Sequence, residues 1–419
     1  MRMIAIALGL VLAGNAMAES KGLSDIYNLA VANDPALRAQ MATRDASQAL
    51  GEQVRGARGL SATGSLSAKE TQNFKADDNY ETGTLSVTLS LPLYDRGLTA
   101  SIDSQDAATR EADAALAAYR QTHIVSVTNA YFAVLSADQD LLAAKAEVEA
   151  FERQLEQASE RLTVGIGTRV DVDQARARLD LSQVGLISAE VALETAKSDL
   201  RQLVDVPVSD LADLVENFSA EVHRSLNGNL DRLADNHPEE ITEQEAYRSA
   251  VADLDEARAE TTPSLDLLSK FSMSDSSRSN VLSLTLSAPI YTNGVASAKV
   301  AVAQAGVVKA EANLLKARRQ VLGSMQEAYR NLEASARTVE ARRLAIVSAA
   351  SRVEATEAAY AVGSGDIVEV LNAKKDLFAA ERDFAKARYT HVTRQLEFDQ
   401  AIGDLSESAI ARIDQQLIQ

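Results

Sequence analysis

Leu89-Ser90-Leu91-Pro92-Leu93-Tyr94-Asp95-Arg96-Gly97 returns 197 residues later as Leu286-Ser287-Ala288-Pro289-Ile290-Tyr291-Thr292-Asn293-Gly294. The copies continue at a spacing of 198: Val164-Gly165-Ile166-Gly167 matches Val362-Gly363-Ser364-Gly365, Tyr131 matches Tyr329, Asp171 matches Glu369 and Ala175 matches Ala373. Each copy reads strand, long helix, glycine turn, second helix. A repeat of this length marks a duplicated half-domain.

Outward from the quoted stretch, Leu85, Val87, Leu89, Leu91 and Leu93 interleave with Ser86, Thr88 and Ser90. In copy two Leu282, Leu284, Leu286, Ala288 and Ile290 interleave with Ser283, Thr285 and Ser287. Leu60 to Lys69 alternates with Ser61, Thr63, Ser65 and Ser67, and Leu265 to Met273 alternates only partly, around Asp266 and Lys270. These patterns predict two hairpins, with strands near 60–70 and 83–93 and near 264–273 and 281–291. The loops Thr71–Thr82 and Ser274–Asn280 are polar. Strands of about 9–11 residues cross an outer membrane at a tilt. An ordinary sheet with one face on a helix layer accounts for the alternation equally well.

All six prolines fall outside residues 93–206 and 290–419, so both stretches are expected to be almost wholly helical. Val134, Leu141, Val148, Leu155 and Leu162 stand seven apart, as do Leu332, Val339, Ile346, Val353 and Tyr360. Strict sevens predict left-handed supercoiling. Past the glycine turn, Val172, Ala175, Leu179, Ser182, Leu186 and Ala189 alternate three and four apart, and Val370, Ala373, Leu377, Ala380, Phe384 and Ala387 repeat the pattern. Two coiled-coil hairpins follow, about 97–204 and 294–403.

The first 18 residues carry Arg2, an apolar run from Ile4 and Ala16-Met17-Ala18, the layout of a cleaved export leader. No later run approaches the roughly 20 apolar residues of a spanning helix, so any membrane embedding falls to the strands. Cysteine is absent, which excludes disulfides, thiolate metal sites and lipidation. A net charge of −18 argues against nucleic acid and anionic surfaces as partners. Tryptophan is absent and aromatics make up 4%, which suits closely packed alanine-rich helices better than a small-molecule pocket.

A lipid-spanning sheet must close, and known barrels start at about eight strands. Four strands per chain therefore need other chains. Two would give a barrel filled by side chains, whereas three would leave a passage lined by the Ser and Thr rows.

With its two Leu91-Pro92-Leu93-Tyr94-like corners, its two Val-Gly coil turns and Asn33-Asp34-Pro35 in the first helix, the chain resembles the TolC family of outer-membrane efflux and secretion proteins. The resemblance covers the whole mature chain. It implies a mainly α fold with a small antiparallel β part: a homotrimer whose twelve strands form one outer-membrane β-barrel, continued by a periplasmic α-barrel. Repeats would span 19–220 and 221–419 after a leader over 1–18, and 205–240 and 404–419 would form a band at the tube's waist. It implies a passive exit duct of a tripartite efflux or type I secretion system, gated at its periplasmic tip, with a periplasmic adaptor and an inner-membrane pump or ABC exporter as partners. A structural periplasmic coiled-coil protein without a pore is the alternative.

The family places acids at the periplasmic entrance where Asp171 and Glu369 stand, and a coil-closing Tyr where Tyr360 stands. Adaptor hairpins would dock on the turns Val164, Gly165, Val362 and Gly363. Residues alone offer plainer roles: Thr168-x-x-Asp171 and Asp366-x-x-Glu369 both fit helix capping boxes, Tyr360 fits a coil core, and the glycines fit tight turns. Copy two departs from better-known members, with Gly365 where they carry Arg and Asn372 where they carry a second acid. Loss of the Tyr360 hydroxyl is expected to loosen closure. His123, His223, His237 and His391 lack a second ligand at metal spacing. No nucleophile elbow, phosphate loop or catalytic carboxylate pair is present, so neither catalysis nor a cofactor is expected.

Overall fold

The computed structural model describes residues 21–73, 78–208, 210–215, 218–220, 234–275 and 277–418. The expected leader and His223 lie outside them. The helices are α1 (Leu23–Asn33), α2 (Pro35–Gly56), α3 (Arg96–Thr163), α4 (Arg169–Val204), α5 (Pro238–Ala259), α6 (Val295–Ala361), α7 (Ile367–Ala401) and α8 (Glu407–Asp414). The strands are β1 (Ser61–Asn73), β2 (Asp78–Tyr94), β3 (Ser264–Ser274) and β4 (Arg278–Ser287). The duplication is plain in the helices: α3 and α4 hold 68 and 36 residues, α6 and α7 hold 67 and 35. At 1.5 Å per residue the long helices run about 100 Å. No described helix is long and apolar enough to cross a membrane.

The strands form one antiparallel sheet in the order β1-β2-β3-β4, with both edges open. Directly opposed residues share a face. One row across the sheet is Gly64, Val87, Phe271 and Asn280; the next is Thr63, Thr88, Lys270 and Val281. Leu66, Leu85, Val87, Leu89, Leu91, Phe271, Met273, Leu282, Leu284 and Leu286 therefore line one face. Ser61, Thr63, Ser65, Ser67, Thr84, Ser86, Thr88, Ser90, Ser272, Ser283 and Thr285 line the other, where Ser65 Oγ and Ser86 Oγ are 2.8 Å apart. The register also explains why β3 alternates imperfectly: its two charges, Asp266 and Lys270, fall on the hydroxyl face, opposite Pro92 and Thr88.

Two strand boundaries differ from expectation. The Thr71–Thr82 segment is largely strand rather than loop, since pairing continues from Lys69↔Thr82 out to Asn73↔Asp78. Polar residues pair their backbones as readily as apolar ones once a hairpin is in register. Conversely, β4 stops at Ser287 instead of reaching 291. Pro92 sits in β2, which keeps β3 beside it as far as Leu265, with a register shift between Pro92 and Tyr94. The equivalent Pro289 follows an edge strand whose partner β3 begins at Ser264, so nothing remains to pair with. Ile290 is consequently 99% exposed.

Asn33-Asp34-Pro35 does not lie inside one helix. It divides α1 from α2, because Pro35 favours a first-turn position and Asp34, extended at ψ 115°, caps the new helix by accepting from the Ala36 N–H at 2.8 Å. Asn33 Nδ2 donates to Val204 O at 2.8 Å, so α2 starts where α4 ends. His123 closes this joint from α3, its Nε2 3.0 Å from Asp34 Oδ2, with both side chains buried. The contact is electrostatic and poorly aligned as a hydrogen bond. Burial lowers the His123 pKa and the Asp34 charge works against that. The second joint uses Asn236-His237-Pro238, a further copy of the motif that the sequence comparison missed. There His237 Nδ1 accepts from Glu239 N at 3.2 Å and Nε2 sits 3.3 Å from Gln400 O, joining α5 to the end of α7.

The main core gathers where the joints and both termini meet the middle of α3. Tyr131 is fully buried, its hydroxyl donating to Ala212 O at 2.6 Å, and Phe132 stacks on Tyr389 at 5.4 Å. Short bridges Lys21↔Leu211 and Leu214↔Leu417 tie the chain ends to residues 211–214. Asp414 of α8 caps α1, accepting from Leu23 N at 2.7 Å and Ser24 N at 3.0 Å. Asp414→Ala is expected to cost about 1 kcal/mol, the worth of a lost N-cap, and to speed amide exchange at Leu23 and Ser24 while leaving the hairpin tips protected. Exchange followed by mass spectrometry checks this.

Candidate functional site: the hairpin tips

The sequence-expected site residues gather at the two hairpin ends. Both turns close by one hydrogen-bond pattern: Val164 N donates to Glu160 O (3.0 Å), Gly165 N to Leu162 O (3.1 Å) and Ile166 N to Arg161 O (3.0 Å). In copy two Val362 N, Gly363 N and Ser364 N repeat it onto Ala358 O, Tyr360 O and Ala359 O. Gly165 and Gly363 adopt φ of 81° and 77°, which side-chain-bearing residues rarely tolerate. A Cβ on Gly365 would come within 3.0 Å of Ala359 Cβ and Tyr360 N. A side chain at Gly365 would therefore require Ala359 and the adjoining backbone to shift by a few tenths of an ångström. The turns expose Val164 (69%) and Val362 (80%) together with Ile166 and Val170.

The two acids part company. Asp171 completes a full capping box: its N–H donates to Thr168 Oγ1 at 3.1 Å, and its carboxylate accepts from Thr168 N at 3.0 Å. Copy two lacks the reciprocal bond. Asp366 Oδ1 accepts from Val368 N at 3.1 Å, and the exposed Glu369 carboxylate has no hydrogen-bond or ion-pair partner among the described residues. The physical cause is that Asp366 reaches the second rather than the third helical N–H.

Tyr360 is 7% exposed and lies in a cluster shared by both hairpins, with Phe151, Ala158 and Ala175 from one and Ile367, Val370 and Leu371 from the other. The guanidinium of Arg161 stands 4.4 Å over its ring, and Arg161 Nη1 donates to Tyr360 O at 3.4 Å. The Tyr360 hydroxyl is buried without a hydrogen-bond partner among the described residues. Burial raises its pKa, Arg161 opposes this, and Asp171 and Asp366 add to it. Arg178 of α4 donates to Asn372 Oδ1 of α7 at 2.8 Å. Two arginines of copy one thus bridge to copy two. The sequence reading missed both, since neither lies in a repeated motif and their partners stand about 200 residues away. Farther from the tip, Asp140 of α3 faces Lys386 at 2.8 Å and Arg382 at 3.7 Å on α7.

The described geometry has known counterparts. The family profile described as outer membrane efflux protein matches residues 26–205 and 230–404, one segment per copy. The outer membrane protein TolC of Vibrio cholerae is 30% identical over 94% of this chain and 93% of its own length. TolC of Salmonella enteritidis is 29% identical over 99% and 89%. The alkaline protease secretion protein AprF of Pseudomonas aeruginosa is 26% identical over 89% and 82%. Among solved structures, CusC superposes with a TM-score of 0.83 at 17% identity, covering 93% of this chain and 95% of that one. The open state of the Neisseria gonorrhoeae MtrE outer membrane channel gives 0.79 at 16%, over 91% and 88%. The chain belongs to the outer membrane efflux protein family.

Proposed function

We propose that three copies of this chain form a passive exit duct through the outer membrane, serving efflux or type I secretion and gated where the hairpin tips meet. The observation that carries this reading is the sheet. Its register gathers most of its large apolar residues on one face and most of its hydroxyls on the other, and both its edges are unpaired. In hydrocarbon such a sheet must close on further strands, apolar face outward. The helices support the same assembly. Contacts order them α2-α3-α5-α6 near the sheet and α4-α3-α7-α6 toward the tip, so α2 and α4 form one edge and α6 the other. Exposed apolar stripes follow those edges, Leu181, Val184, Ile187 and Val191 on α4 and Val295, Val302, Val308 and Leu315 on α6. Edges of one sense on sheet and helices suit a head-to-tail ring.

In this reading repeats 19–220 and 221–419 each supply two strands and one hairpin, after removal of a leader over 1–18. Relatives named for protease secretion and for efflux favour a chain that moves cargo on behalf of a periplasmic adaptor and an inner-membrane pump or ABC exporter. The exposed turn valines beside Gly165 and Gly363 suit an adaptor contact. Chemistry is left to the partners, and the alternative of a poreless coiled-coil protein sits poorly with a family of efflux proteins.

The direct test is single-channel conductance in planar bilayers together with the mass of the purified assembly in mild detergent. Three copies and a steady conductance are expected; a stable, non-conducting monomer overturns the duct. Val87→Lys, on the apolar face, is expected to block assembly, because a lysine at mid-bilayer costs roughly 2–4 kcal/mol per chain. Thr88→Lys, one residue on, is expected to assemble normally; equal assembly of both removes the membrane assignment.

At the tip, Glu369→Gln is expected to weaken cation preference and block by multivalent cations without changing thermal stability, since its carboxylate holds no local bond. Asp171→Asn acts in the same direction and also loosens the start of α4, by roughly 0.3–1 kcal/mol. Both conductance effects fade at 1 M salt, where the screening length is about 3 Å. Unchanged ion preference in both variants leaves capping as the whole role of these acids.

Closure rests on Arg161 more than on the phenol. Arg161→Ala removes a cation–π contact worth about 0.5–2 kcal/mol and is expected to let large antibiotics leak into cells. Tyr360→Phe keeps the ring beneath the guanidinium and loses only a hydroxyl without a partner among the described residues. Leak of equal size in the two variants would show that the hydroxyl finds its partner in the assembled duct.

A further inference from the structure

Lys270 occupies the middle of β3, a central strand, in the row Thr63, Thr88, Lys270, Val281. Its neighbouring rows on the same face are Ser65, Ser86, Ser272 and Ser279 on one side and Ser61, Ser90, Leu268 and Ser283 on the other. The residue is exposed and has no ion-pair partner among the described residues. On this face of β3 the one carboxylate is Asp266, four residues away, or about 13 Å along the strand. At the same height the opposite face carries Val87, Leu89, Phe271 and Leu282, with Ala62, Gly64, Ser269 and Asn280 completing the two rows and no charged residue among them. An unpaired cation has thus been placed at the depth where lipid would exclude it, on the face that lipid does not touch. The chain as a whole is strongly acidic, with a net charge of −18, so this local sign is contrary to the average.

We propose that Lys270 makes the β-lined section of the duct a holding site for polyvalent anions, opposite in sign to the tip acids. This rests on the duct reading above. Three copies place three ammonium groups around one lumen among neutral hydroxyls, where their fields add on the axis. An anion there exchanges part of its hydration for Ser and Thr hydroxyl donors, while a multivalent cation meets a barrier. Asp266 lies one row from the strand's helix-proximal end and gives the passage a reversal of sign along its length.

The test uses the full-length assembly in planar bilayers at 0.1 M salt, with sodium tripolyphosphate added on the side of the strand turns. Wild type is expected to be blocked at low concentration. Lys270→Gln should need about tenfold more tripolyphosphate, a size set by three unit charges acting over roughly 10 Å with a comparable screening length. Lys270→Arg should keep the block, and Thr88→Lys, which adds a cation in the same row, should strengthen it. All differences should vanish at 1 M salt, where screening falls to about 3 Å. A conducting wild type whose block is the same in Lys270→Gln overturns the anion site and leaves the duct standing. A wild type that never conducts overturns both.

Discussion

Every backbone N–H and C=O inside hydrocarbon must find a protein partner, and a four-stranded antiparallel sheet leaves two rows of them open. That constraint governs the rest of this molecule. It makes a single chain incomplete, and it asks that whatever joins β1 to the next β4 also join α2 and α4 to the next α6. The exposed stripes on α4 and α6 are the helical counterpart of the open strand edges. In the proposed ring each edge is a surface whose partner is a copy of its own opposite side.

The duplicated halves are built alike but are not energetically alike. Both carry a glycine turn with one hydrogen-bond pattern, yet only the first forms a reciprocal capping box. Each begins a helix at an Asn-x-Pro motif, yet the first joint pairs Asp34 with a buried His123 while the second uses His237 itself as the cap. At the position equivalent to His123, copy two has Val321, buried with Met325 and Ala234. One corner continues a central strand and the other leaves an edge, so identical Pro-x-Tyr segments end differently.

Near the tips the two hairpins share an apolar cluster and are pinned across it by arginines from one copy acting on groups of the other. Ring stacking by Arg161 and the Arg178 bond to Asn372 are side-chain contacts at part-exposed sites, worth far less than the packing along each coil.

The amino-acid sequence by itself determined the duplication, the proline-free rods, the period-two strands and the family, because each follows from local spacing that repetition reinforces. It also placed Tyr360 and the turn glycines at the tips. It did not determine where strands stop, since pairing depends on the neighbour: polar residues 71–73 continue β1 because residues 78–82 lie opposite, and β4 ends early because β3 does. Which face receives Lys270 and Asp266 was likewise decided by register, as alternation within β3 is too irregular to read alone. The Asp34–His123 pair, the Asp414 cap on α1 and the two bridging arginines join residues 51 to 391 positions apart or reach between the copies, so only the folded chain brings them together.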